Sequence, residues 1–467
     1  MSGDRKECAM TTTSAPPATP AVPPAAERVD KDYPLSRVPA HSRQGWFGVL
    51  VVVGGFVFFT PTMVTGGQVA GAFGFAPFLL LCAVATAVLG LYISTLGAAS
   101  ARTGLSTVLI SRLTLGRVGG KWASIVLGGT QIGWYGITVG IFANLLASAL
   151  GWSESWPLAI FGGLLMATTS YWGFKGIEVL SWVSVPLMFA LCIWITALSL
   201  DEVGGIGGLF ATSGDSSITP GMAITMMIGT FISGGTQIGN WTRFARSART
   251  AFLVCLGALL VVETAMLVFG GIGAIAFDEA DFTTLLFTMG LAGLGVFMLT
   301  FNLWTTNDNA AYAFGVAGSE LFGKADKRPF IIGGVIIGIA LAVSGLADSM
   351  TMFLVTLGTV IPPLGGVIIG TFLFVWRRRD PGTDLDSVPG FVWPGVIAYL
   401  LGTAAAGFGS ITGLGSPAIQ GVLVAVIAAP ICHWVARSTR RAAAAASLAA
   451  PAPDAAQHTD AQNGAGE

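Results

Sequence analysis

Every lysine and arginine of this chain, 23 in all, falls in alternate gaps between its apolar runs. Basic residues gather in the short loops on the cytoplasmic side of a membrane, so this alternation is what successive crossings would leave behind. The runs lie near 46–72, 75–99, 120–150, 156–174, 177–200, 219–240, 250–277, 284–316, 329–347, 349–376, 391–408 and 417–436. A bilayer core needs about 20 mostly apolar residues per helix, which gives twelve spans. With the amino terminus inside, one side holds Arg5 to Arg43, then Arg102, Arg112, Arg117 and Lys121, then Lys175. It continues with Arg243, Arg246 and Arg249, with Lys324, Lys327 and Arg328, with Arg377 to Arg379, and with Arg437, Arg440 and Arg441. The other side carries Glu154, Asp201, Glu202, Asp215, Asp278, Glu279, Asp281 and Asp348. A wrong count would scatter basic residues over both sides. The expectation is therefore an all-α polytopic protein of the cell (inner) membrane, with twelve transmembrane helices and both termini cytoplasmic.

Composition excludes the soluble alternatives. Only 10% of residues are charged and 53% are hydrophobic, against roughly 25% charged in a soluble domain, so the surface must face membrane lipid. The net charge of −1 offers no footprint for nucleic acid. Cys8, Cys82, Cys192, Cys255 and Cys432 show neither paired nor metal-type spacing, and no cofactor or obligate protein partner is indicated. Residues 1–40 and 442–467 lack apolar periodicity and read as disordered cytoplasmic tails. They flank a membrane domain over 41–441, and no cleavable signal peptide is apparent.

Interruptions in the helices point toward a carrier. The first run contains Gly54-Gly55, Phe58-Phe59-Thr60-Pro61 and Gly66-Gly67, and the sixth contains Gly229-Thr230-Phe231-Ile232-Ser233-Gly234-Gly235. Proline removes a backbone donor and glycine weakens a helix. Paired broken helices at matching positions mark inverted-repeat transporters, with the site at the breaks. The plainer alternative is glycine that only permits close helix packing.

Three further segments are too polar for lipid. Thr130-Gln131-Ile132-Gly133-Trp134 places an amide and an indole on one helical face, suited to a flat neutral solute whose ring stacks while its edge is read. An interhelical amide bond beside a packing tryptophan is the alternative. In Asn302-Leu303-Trp304-Thr305-Thr306-Asn307-Asp308-Asn309, Asn302, Thr305 and Thr306 stand at i, i+3 and i+4. Three neutral oxygens on one face suit a hard cation; hydroxyls bonding back to the preceding turn are the alternative. Intramembrane acids are functional candidates, and Glu263, Asp308 and Glu178 are the ones present. None of His41, His433 and His458 lies in mid-span, so no histidine relay is visible.

At these residues the chain resembles the bacterial cytosine permeases of the nucleobase:cation symporter-1 family. Trp304 to Ala310, Leu127 to Trp134, Gly229 to Ser233 with Gly235-Thr236, Phe58-Phe59 with Thr65-Gly66-Gly67, and Ile361 to Ile369 carry the likeness, which runs from about Arg43 to Arg378. The resemblance implies the LeuT-type fold: two inverted five-helix repeats, about 46–200 and 219–376, plus two C-terminal helices over about 391–436. It implies that Trp134 and Phe231 sandwich a pyrimidine while Gln131, Thr230, Ser233 and Asn302 bond its edge. It further implies a sodium ion on side-chain oxygens of Asn302, Thr305 and Thr306 and on carbonyls of Gly55 and Phe59, with Asn302 touching both sites. Thr230 stands where these permeases often have serine, and Asn240 where an acid commonly precedes Arg243-Phe244.

The expectation is sodium-coupled symport of cytosine or a closely related nucleobase by alternating access. A proton-coupled carrier of another flat heterocycle, a hydantoin or purine, is the alternative, with Glu263 or Asp308 titrating. A membrane enzyme or sensor is weakened by the lack of histidine or cysteine clusters and of any soluble domain.

Overall fold

The structure, a computed structural model, describes residues 32–279, 282–345, 349–377 and 385–449. Among these residues regular structure is helical, apart from one isolated bridge between Gln44 and Ala245. The expectations for residues 1–31 and 450–467, and for the sides of Asp281, Asp348, Arg378 and Arg379, lie outside the described residues.

Helices α1 (Trp46–Val57) and α2 (Thr60–Phe73) form one path bent by 53°. The break falls at Phe58-Phe59, where Pro61 enters the first turn of α2 at a position that has no helical donor to lose. Next come α3 (Phe75–Thr103), α4 (Thr107–Leu150), α5 (Trp156–Met166), the single turn α6 (Thr168–Tyr171), α7 (Phe174–Glu202) and the short α8 (Gly205–Phe210). The second half begins with α9 (Pro220–Thr236) and α10 (Gly239–Thr242), then α11 (Ala248–Ala258) and α12 (Thr264–Phe277), which a π-helical turn over Leu259–Glu263 makes continuous. It continues with α13 (Phe282–Thr288), α14 (Ala292–Phe322), α15 (Arg328–Val343) and α16 (Met350–Gly370), and closes with α17 (Trp393–Thr412) and α18 (Pro417–Ala449).

Seven of these runs are by themselves long and apolar enough to cross a membrane, and the bent α1–α2 pair makes eight. The other expected spans correspond to helices of a different kind. α5, α9 and α15 are 11, 17 and 16 residues long, and α14 is long but carries the polar run from Asn302 to Asn309. α2 packs on α12, α4 on α14, α3 on α11 and α9 on α16, and the last two helices lean on α16. Cys82, Cys192 and Cys255 are buried free thiols.

Three expectations need correction. The glycines from Gly229 to Gly235 do not interrupt the sixth span: α9 continues through them and the break comes at Gln237-Ile238. Gly234 and Gly235 serve close packing instead, since a Cβ on either would meet Phe56 at 2.6 Å or Ile93 at 2.3 Å. The third span begins earlier than residue 120. α4 contains a kink at Gly116, whose φ of 96° only glycine adopts readily, so a short helix from Thr107 precedes the long one. Finally, residues 32–40 and 442–449 are more ordered than their composition suggested. Val38 is buried, Lys327 bonds Asp32 at 2.6 Å, and α18 runs on to Ala449. The first segment is held by polar contacts rather than by an apolar stripe, and alanines after Arg441 favour helix without any periodicity.

Basic residues from separate loops meet at one end of the bundle. Arg243 donates to the Tyr33 carbonyl at 2.9 Å, Arg37 to the Arg102 carbonyl, and Arg102 to the Arg377 carbonyl.

Candidate functional site

The bend between α1 and α2 leaves backbone groups without helical partners, and one side chain answers for several of them. Asn302 Oδ1 accepts from the Thr60 backbone N–H at 2.9 Å and from the Thr60 hydroxyl at 2.6 Å. Asn302 Nδ2 donates to the Phe58 carbonyl at 2.9 Å. An amide is suited to this because it accepts and donates at once. The residue is fully buried, so α14 clamps the break from outside.

This use of the amide changes the expected roles. Asn302 does not line the central cavity, and its side-chain oxygen already takes two hydrogen bonds. Its main-chain carbonyl is the oxygen that meets the threonines: Thr305 Oγ1 donates to it at 2.9 Å and Thr306 Oγ1 at 3.0 Å. Three oxygens thus converge on one face of α14, and the back-bonding alternative and the oxygen cluster are the same arrangement. Each hydroxyl spends its hydrogen on the carbonyl and keeps its lone pairs. Of the two expected carbonyls in the first span, that of Phe59 accepts from Thr62 N–H at 3.1 Å. Gly55 lies in the last turn of α1 and packs so closely on α7 that a Cβ there would stand 2.5 Å from Ser181 Oγ.

A small buried cavity lies beside the break, walled by α1, α4, α9 and α14. Gln131, Trp134, Thr230, Phe231, Ser233, Phe59 and Thr306 all line it, so five of the six residues expected at the substrate meet there with two from the cation set. Gln131 Nε2 donates to Ser233 Oγ at 3.1 Å, tying the amide of α4 to the hydroxyl of α9. Thr230 Oγ1 lies 2.6 Å from the Met227 carbonyl and 3.0 Å from Glu263 Oε1, both acceptors for its one hydrogen.

The aromatic residues close on one another. Trp134 meets Phe59 edge to face at 5.1 Å and Phe353 at 5.2 Å; Phe231 meets Phe56 at 4.8 Å. The remaining volume, about 10 Å³, is barely that of one water. A planar ring enters only when these rings part, and the T-shaped pairs hold the volume that a stacked ring would take.

Sequence reasoning missed Phe56, Thr138 and Asn307 as wall residues, and the Phe59 ring, expected only for its carbonyl. Thr138 carried a readable signal: it stands four residues after Trp134, on the same face, and its hydroxyl bonds Asn307 Oδ1. Asp308 points elsewhere. Thr169 Oγ1 donates to it at 2.9 Å, and Trp304 Nε1 donates to Thr169 at 3.1 Å, so this acid belongs to the contact between α14 and α6. Glu263 sits one bond from the cavity through Thr230, and it is fully buried.

Beyond the second break, Arg243 is fully buried. Its guanidinium donates to the Asn240 carbonyl, the Tyr33 carbonyl and the Tyr312 hydroxyl at 3.2, 2.9 and 3.2 Å, and it lies over the Phe244 ring. All three acceptors are neutral oxygens.

Residues 37–435 match the family described as permeases for cytosine/purines, uracil, thiamine and allantoin. The cytosine permeases of Escherichia coli K12 and of E. coli O157:H7 are each 34% identical over 378 residues, covering 80% of this chain and 89% of theirs. Among solved structures, Mhp1, a nucleobase-cation-symport-1 family transporter in a closed conformation with bromovinylhydantoin bound, aligns with a TM-score of 0.73 at 16% identity, over 86% of this chain and 95% of its own. A Na+-coupled sialic acid symporter, substrate-bound and outward-open, aligns at 0.65 with 14% identity, over 86% and 92%. These two likenesses concern the fold.

Proposed function

Because the chain belongs to the family of permeases for cytosine/purines, uracil, thiamine and allantoin, we propose that it is a sodium-coupled symporter taking up cytosine or a closely related nucleobase. It is an all-α polytopic transporter of the cell membrane, and its work is secondary transport of nucleobases rather than covalent chemistry. The observation that carries the finer reading is the convergence of Gln131, Trp134, Thr230, Phe231 and Ser233 on one buried cavity. Aromatic faces supply stacking, worth about 1–3 kcal/mol per base. The Gln131 amide and its hydroxyl neighbours supply an edge that donates and accepts.

In this reading a sodium ion sits on lone pairs of the Thr305 and Thr306 hydroxyl oxygens, with the Asn302 carbonyl and carbonyls of Gly55 and Phe59 completing its shell. Residue 302 contributes its main-chain oxygen, and its amide holds the first break in register with that shell. Thr306 joins the two sites, since it lines the cavity and belongs to the cation set. An ion that fixes Thr306 raises nucleobase affinity, and linkage makes the effect reciprocal.

Twelve spans and two inverted repeats remain part of the proposal. They are supported by a broken helix at the head of each half, α1–α2 and α9–α10. Further support comes from the short helix before the long third span of each half, Thr107 to Leu115 before α4 proper and α13 before α14. The basic ends then face the cytoplasm by the charge rule. The alternative is proton coupling, favoured by one observation: Glu263 bonds a cavity residue. Purified protein in liposomes decides between carriers, with radiolabelled cytosine and imposed gradients. Sodium-driven accumulation supports the proposal; accumulation driven by a proton gradient without sodium supports the alternative.

A further inference from the structure

A second, larger cavity opens at the basic end of the bundle, far in character from the closed aromatic one. Its volume is about 810 Å³. Its walls come from the amino-terminal segment, the kinked start of α4, the end of α14 and the loop before α17. Four cations line it, Arg37, Arg112, Arg117 and Lys121, against two acids, Glu320 and Asp386, leaving a surplus of two positive charges among the described lining residues.

The acids are already engaged. Glu320 accepts from Ser124 Oγ at 2.8 Å, and Asp386, almost wholly exposed, lies 3.6 Å from Arg112. Arg112 Nε is buried with no hydrogen-bond partner. The cavity's position on α4 is equally informative. Arg117, Lys121 and Ser124 follow at i, i+4 and i+7, one stripe of the helix. The adjoining stripe, Val118, Trp122 and Ile125, is apolar and 49–51% exposed. Phe322, across the cavity, is 65% exposed. A basic hollow whose lip is made of Val118 and Phe322 meets both the headgroup layer and the acyl chains.

We propose that this cavity binds the phosphodiester headgroup of an anionic phospholipid, with Arg117 and Lys121 as its principal contacts. Basic pockets between helices on the cytoplasmic side are suited to such headgroups. The occupant would join the amino-terminal segment to α4 and α14, because residues of all three face it. The site rests on the proposed orientation only for the choice of leaflet; its chemistry does not depend on what the central cavity carries.

The test uses the full chain in nanodiscs or detergent, with phosphatidylglycerol, phosphatidylcholine and inorganic phosphate as separate probes. Native mass spectrometry and thermal unfolding are the readouts. Wild type is expected to retain phosphatidylglycerol over phosphatidylcholine and to unfold at higher temperature with it. Arg117→Gln with Lys121→Gln should weaken that retention about thirty-fold, since each basic residue near the surface contributes about 1 kcal/mol. Arg246→Gln with Arg249→Gln, two exposed charges outside the cavity, should leave it unchanged. Equal losses in the two double variants, or none in either, overturns the site. Inorganic phosphate at millimolar concentration matching the lipid effect would assign the cavity to a soluble anion and overturn the lipid.

Discussion

The two helix breaks of this molecule are held in different ways. At the first, between α1 and α2, a single buried amide from α14 bonds both sides of the gap. At the second, between α9 and α10, the chain caps itself: Gln237 N–H reaches the Ser233 and Gly234 carbonyls, and Asn240 N–H reaches that of Gln237. Two side-chain bonds tie the second break to α4, from Gln237 Nε2 to the Leu127 carbonyl at 3.0 Å and from the Gly239 N–H to Thr107 Oγ1 at 3.2 Å. The first break is thereby tied to α14, and the second to its own backbone and to α4. The comparison makes the first break the natural place to couple an ion on α14 to a ring in the cavity, and leaves the second to position Thr230, Phe231 and Ser233.

Removing the clamp should have the largest effect. Asn302→Ala leaves the Phe58 carbonyl and the Thr60 N–H buried without partners, at about 1–3 kcal/mol each. Uptake of cytosine is expected to fall at least a hundredfold, with a lower unfolding temperature in detergent. Retained uptake would remove the coupling role from the first break. Gln237→Ala breaks only one reinforcing bond of the second. Its transport should stay within about tenfold of wild type, a net hydrogen bond being worth about 0.5–1.5 kcal/mol; a loss as deep as that of Asn302→Ala would erase the distinction.

The cavity residues rank between these. Trp134→Ala and Phe231→Ala should each weaken cytosine binding tenfold or more, measured by calorimetry on folded protein. Unchanged affinity returns either ring to a packing role. Uracil, which presents a carbonyl where cytosine presents an amino group, should bind far more weakly, since a polar site rejects an edge that leaves its groups unpaired. Equal binding would mean selection by shape.

Much of this was legible in the chain. The first break was readable because Gly54-Gly55 and Pro61 fall within one apolar run. The second was misplaced because glycine has two uses, and Gly229 to Gly235 serve packing while the turn falls one residue past Thr236. Gln131, Trp134 and Ser233 were found because polar and aromatic types on a helical face inside an apolar run are conspicuous. Phe56 was not, since a phenylalanine in a membrane helix carries no sign of facing a cavity. Asn302 was recognised but its duty was not: periodicity shows which face an amide lies on, and only the partner's position shows which of its oxygens is spent. The order of residues 32–40 was hidden for a related reason, because docking by backbone carbonyls and one acid leaves no apolar pattern.

The proposed sodium ligands test the central proposal that ion and ring meet through α14. Thr305→Ala and Thr306→Ala each remove one oxygen of the converging set while Trp134 and Phe231 remain. The most direct measurement is cytosine affinity titrated against sodium at two pH values, in wild type and in these two variants. The account predicts that wild-type affinity rises with sodium at both pH values, and that the threonine variants need more sodium to reach it or lose the rise. Affinity that ignores sodium and follows pH, and that Glu263→Gln abolishes, would contradict it.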